Sequence, residues 1–154
     1  MARTSKAPLG VRIGQLLAER GGWTGPVGEV LVPFDAGAQT VATAGADLAA
    51  HPGRVLALVV ADGSARRGEK APGHLDERAF AFDEAVVSAL EAADPQALLA
   101  LDPTLADELL ASGRAALQVA AHAVLGAAGL RGRLLWSGDP YGVLYAVAVW
   151  QVDR

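Results

Sequence analysis

The chain of 154 residues is 52% hydrophobic, carries a formal net charge of -4 and has no cysteine. Length and composition predict a single domain, residues 1–154, able to bury a core without covalent staples. The absence of thiols excludes disulfides, thiolate metal sites and cysteine nucleophiles, and the acidic balance argues against nucleic acid as a partner.

The first eight residues are polar and are expected to fray. Residues 1–14, MARTSKAPLGVRIG, include basic residues but no apolar core followed by a small-residue cleavage site, so no signal peptide is predicted and a cytoplasmic location is expected. Every apolar run falls short of the roughly 20 residues a spanning helix needs. No membrane association is expected.

A helix is predicted over 11–20, stopped by Gly21 and Gly22. A turn-rich connector over 23–28 leads to a short apolar strand over 29–34, with Pro33 at its end, and Asp35 is a candidate cap for the next helix. That helix, over 36–50, is built of small residues, with Val41 and Leu48 its large apolar side chains, and close packing on a sheet is expected. Residues 55–61, VLALVVA, are continuously apolar, which suits a strand covered on both faces. A loop with four cations, Arg66, Arg67, Lys70 and Arg78, and with His74, follows at the carboxyl end of that strand. In open α/β sheets that edge is where ligands bind.

Asp76 is a candidate cap for a helix reaching about Ala93, in which Phe82, Val86 and Leu90 recur every fourth residue. Asp94-Pro95 and Asp102-Pro103 each place a capping residue before a proline at the first helical position, so two short helices start there. Gly113 separates these from a helix over 114–128. Strands over 133–136 and 143–152 flank a turn, 137–142. The expected architecture is α/β, a mixed sheet of about four strands with helices on both faces. Uncovered sheet edges in so small a sheet predict a homo-oligomer, dimer or higher.

His51, His74 and His122 have no metal-binding spacing, and no metal site or cofactor is expected from them. The loop has neither a phosphate-binding glycine pattern nor a nucleophile elbow around Ser64. Asp139, Tyr141 and Gly142 are turn formers. The candidate ligand-binding residues are therefore Asp62, Ser64, Arg66, Arg67 and His74, which could hold a small anionic or phenolic molecule by charge-assisted hydrogen bonds. On the competing reading, Asp62 and Arg66 pair with each other and only pin the loop.

Three ordered segments carry a resemblance. VVADGSARRGEKAPGHLDERAFAFDEAVVSAL, then LLALDPTLADELLASGRAAL, then DPYGVLYAVAVW together resemble the C-terminal half of the class III extradiol ring-cleavage dioxygenase B-subunit-like family in its actinobacterial variety, from about Pro8 onward. The resemblance implies part of that α/β fold. In catalytic members a GDLSHRL-like motif ends a strand, and its histidine is the acid/base beside a ferrous ion held by two histidines and a glutamate. Aligned on it, Asp62, Ser64 and Arg66 keep their places, while Ala65 stands where the histidine would be. The family's metal-binding histidines belong to an N-terminal half with no counterpart here. The implied function is a non-catalytic domain acting as a binding or structural module, with no catalytic residue. The alternative is an iron-dependent dioxygenase acting on a catechol-like aromatic, its site completed by another chain and His74 serving as acid/base.

Overall fold

A computed structural model describes residues 7–153. Its elements are six helices, α1 (Leu9–Arg20), α2 (Ala38–Ala49), α3 (Arg78–Ala92), α4 (Pro95–Leu99), α5 (Pro103–Glu108) and α6 (Arg114–Val124), followed by strands β1 (Leu130–Gly138) and β2 (Tyr145–Val152).

Local chemistry explains most of these boundaries. Asp94 and Asp102 accept hydrogen bonds from the amides of Ala97 (3.0 Å) and Leu105 (2.7 Å), each with proline just inside the helix, so α4 and α5 start where an acceptor meets donors the helix cannot satisfy. At α3 the Asp76 carboxylate accepts from the Arg78 amide at 3.0 Å. Gly37, and not Asp35, precedes α2 as its cap residue. The Asp139 carbonyl accepts from the Gly142 amide at 2.9 Å with Gly142 at φ 72°, closing the turn between the strands.

The larger core gathers Phe82, Val86 and Ala89 of α3 with Leu98, Leu101, Leu109, Ala121 and Leu144. A smaller one joins Val41 of α2 to Ala115 and Val119 of α6. Helix α6 lies between the two. Its Arg114 and Gln118, one turn apart and both buried, bond each other at 2.8 Å. Arg114 also donates to the carbonyls of Phe34 and Ala36, and Gln118 to those of Leu98, Leu99 and Leu101. Arg114 thereby ties residues 34–36 to α6, and Gln118 ties the end of α4 and Leu101 to it, both by donating to backbone carbonyls.

Two expectations are corrected. The sheet has two antiparallel strands, β1 and β2, and is not a four-stranded mixed sheet. Residues 29–34 and 55–61 form no ladder; the amides and carbonyls of 55–61 make no backbone hydrogen bond in the described chain. An apolar β-branched run favours a pleated surface, but only a partner strand makes it one. Nor do helices cover both faces of the hairpin. Burial alternates along β2, with Ala146, Ala148 and Trp150 inward and Tyr145, Val147 and Val149 exposed, and α3 lies against the hairpin, where the Trp150 indole donates to the Leu90 carbonyl at 2.6 Å. Leu135 is the extra residue of a bulge in β1.

The second correction concerns α2, which packs on α6 and not on the sheet. A Cβ at Gly45 would stand 2.3 Å from the His122 Cβ and 2.8 Å from the Val119 carbonyl oxygen. In an isolated helix Gly→Ala gains about 1 kcal/mol, whereas overpacking against backbone costs about 1–3 kcal/mol. The clash wins here: Gly45→Ala is expected to lower stability by up to about 2 kcal/mol in urea unfolding, while a gain would contradict the α2–α6 contact.

Candidate functional site

The loop after residues 55–61 is held from three directions. Asp83 sits on the buried stripe of α3 with Ala79, Phe82 and Val86, and is 1% exposed. A carboxylate there costs several kcal/mol of desolvation unless donors surround it. Ser64, 0% exposed, supplies two of them, its amide to Oδ1 at 2.9 Å and its hydroxyl to Oδ2. Arg67 supplies a third, Nη1 to Oδ2 at 3.2 Å, and donates from Nε to Asp139 Oδ2 at 2.7 Å, so one guanidinium bridges α3 and the hairpin turn. Its carbon Cζ lies 4.7 Å from the centre of the Phe80 ring, within cation–π range. Burial alone would lower the Arg67 pKa; the hydrogen bonds to Asp139 and Asp83, with the attraction of both carboxylates, outweigh it and raise it.

Backbone bonds complete the frame. Gly63 donates to the Leu144 carbonyl and Leu144 to that of Ser64, and Arg67 donates to Gly142 at 3.0 Å. A Cβ at Gly142 would lie 2.5 Å from the Ala71 Cβ, so the turn approaches the loop as closely as glycine allows. At the far end of the loop, Arg78 holds Asp76 at 2.7 Å and Glu108 of α5 at 2.7 Å. The Arg78 hydrogen bond pulls the Asp76 pKa down to about 2. Because the folded value is the lower one, this contribution is complete above the ordinary carboxylate range and is lost as pH falls toward 2.

The five candidate residues therefore sit in different environments. Ser64 and Arg67 come together, on Asp83. The Asp62 side chain is exposed and its carbonyl accepts from the Gly113 amide, so it does not pair with Arg66. Arg66 makes no ion pair with the described residues, and its Nε is buried without a hydrogen-bond partner. His74 is exposed at φ 60°, with Nδ1 2.9 Å from the Glu69 carbonyl oxygen. His51, at the end of α2, directs its Nδ1 to the Pro52 carbonyl oxygen rather than to the helix's last carbonyls.

Asp83 and Asp139 were not among the candidate residues. Asp83 leaves a trace in the sequence, a carboxylate four residues after Ala79 on an otherwise apolar stripe. Asp139 leaves none beyond its role in the turn.

Where loop and turn meet, a shallow cleft is lined by Arg67, Gly68, Lys70, Ala71, Asp139, Pro140, Tyr141 and Gly142. Lys70 makes no hydrogen bond or ion pair with the described residues, and Tyr141 is 75% exposed. The ferrous ion that the resemblance implies does not fit the residues present. Among the described residues no three His, Asp or Glu side chains gather as metal ligands, and Ala65 offers no proton-transfer group. No helix among the described residues is long and apolar enough to cross a membrane. Comparison with family models, curated proteins and solved structures gives no match.

Removing one partner of a buried ion pair strands the other. Arg67→Ala is expected to cost about 2–4 kcal/mol, read as a fall in the denaturation midpoint, because Asp83 keeps only its Ser64 donors. Full stability in this variant would show that the clasp is not formed in solution.

Proposed function

We propose that the chain is a non-catalytic domain of the class III extradiol dioxygenase-like kind, acting as a binding module for a small phenolic or anionic molecule in the cleft between the loop and the turn. The observation that carries this reading is the division of labour among the polar groups. Two residues of the loop are spent internally: Ser64 is enclosed and bonded to Asp83, and Arg67 is matched by two carboxylates. Lys70 and Tyr141 are left facing the cleft without such partners.

Charge decides what could bind there. Arg67 and the Asp83–Asp139 pair leave no positive surplus, so Lys70 contributes the one uncommitted cation of the cleft lining. A singly charged aromatic acid fits this better than a phosphate ester. Its carboxylate would meet Lys70 through a charge-assisted hydrogen bond, and its ring would pack on Tyr141. The cleft is shallow and open, which implies weak affinity.

The probe is 4-hydroxybenzoate, titrated by calorimetry or by protein-observed NMR. Binding in the high micromolar to millimolar range is expected. Lys70→Ala and Tyr141→Ala should each weaken it by roughly five- to tenfold, the worth of one charge-assisted bond or one aromatic contact, with unchanged melting. Oxygen uptake from catechol after supply of ferrous ion should stay at the background rate. Turnover at enzyme-like rates would overturn the non-catalytic reading, and affinity unaffected by both variants would overturn the cleft.

A further inference from the structure

We propose that residues 55–61 pair with the same residues of a second copy of this chain, antiparallel, across a two-fold axis at Leu58. The pairing is independent of any ligand.

The first ground is surface area. A compact folded chain of this mass is expected to expose about 7,300 Å², whereas this one exposes 10148 Å². The seven residues outside 7–153 could contribute about 1,100 Å² even at the value for an unfolded chain. About 1,800 Å² per copy remains, spread over α1, residues 23–34 and residues 55–61, and this is apolar surface left for a partner chain to cover.

The second ground is where that surface lies. Val55, Leu56, Leu58 and Val59 are exposed, Leu56 to 78%, and the backbone of 55–61 has no hydrogen-bond partner among the described residues. Natural sheet edges are protected by charge, proline or bulges, and this run has none of them. The other unpaired run, 29–34, does: Pro33 removes a donor and Glu29 adds a charge. Helix α1 adds to the open surface without closing it. Its Gly10 and Gly14 approach Val60 and Leu58, yet no residue of α1 is buried, and Ile13, Leu16 and Leu17 remain exposed.

The third ground is charge, and it selects a second copy over a foreign strand. The run is flanked by Arg54 and Asp62, each four residues from Leu58 and each exposed. Antiparallel pairing about Leu58 sets Arg54 of one copy against Asp62 of the other at both ends, with Val55 opposite Ala61 and Leu56 opposite Val60 between them. A two-fold interface must be self-complementary, and this register is. A parallel arrangement in register would set like charges against each other.

The absence of native cysteine makes the register directly testable. Directly opposed residues in an antiparallel pair have Cα atoms about 4.5–5.5 Å apart, inside the disulfide range. Sedimentation of the full chain should give twice the 15.7 kDa chain mass. Leu58→Cys should oxidise to a linked dimer, while Gln39→Cys, at an exposed position of α2, should not. Arg54→Asp or Asp62→Arg alone should weaken the dimer by roughly three- to tenfold, as two rim pairs allow, and the two together should restore it. Three results would overturn the proposal: a monomer at tens of micromolar, cross-linking of Leu58→Cys no greater than that of the Gln39→Cys control, or a double swap no better than either single reversal.

Discussion

A carboxylate in the core has to be answered by donors, and in this chain the answer organises the loop and the hairpin turn around α3. Asp83 occupies a position on α3 that the helical period assigns to the interior. Its charge draws in the amide and hydroxyl of Ser64 and the guanidinium of Arg67, and Arg67 in turn reaches Asp139. Three segments far apart in sequence are thereby fixed to one another: the loop, the central helix and the hairpin turn. Apolar contacts alone would leave the loop free to slide over α3, since they have little directional preference. Hydrogen bonds to a charge do not.

The same economy separates structure from binding. A buried, fully partnered serine and an arginine matched by two carboxylates have little left to offer a ligand, so on the proposed reading recognition falls to neighbours with nothing to hold. Lys70 and Tyr141 are such neighbours, and they owe their position to the close approach of Gly142 to Ala71 and to the Arg67–Asp139 bond behind them. Ser64 and Arg66 serve different ends: one is a clasp, the other an arginine with a buried, unpartnered Nε. On the proposed reading, the framework of such a site persists while its proton-transfer group has been replaced by Ala65.

What the sequence disclosed depends on the range of the forces involved. Helix starts at Asp94-Pro95 and Asp102-Pro103, the long amphipathic α3 and the turn at Asp139 are set by interactions spanning three or four residues, and all could be read directly. Strand pairing is set by whatever lies alongside. Residues 55–61 have the composition of an interior strand and no ladder, and 29–34 likewise. The small residues of α2 correctly announced close packing but not its target, because Gly45 fits α6 as readily as it would a sheet. Within the site, the position of Asp83 on the apolar stripe was visible in the pattern. Its partnership with Ser64, 19 residues away, was not.

If Asp83 governs the loop, the Ser64 amide must be as protected as the core, although it belongs to a segment without regular structure. Native-state hydrogen exchange measures this directly. The Ser64 amide should exchange only through global unfolding, at the rate of the slowest amides of α3, while the neighbouring amides of Gly68 and Glu69, which make no backbone hydrogen bond with the described residues, exchange through local motion. Ser64 exchanging as fast as Glu69 would contradict the account.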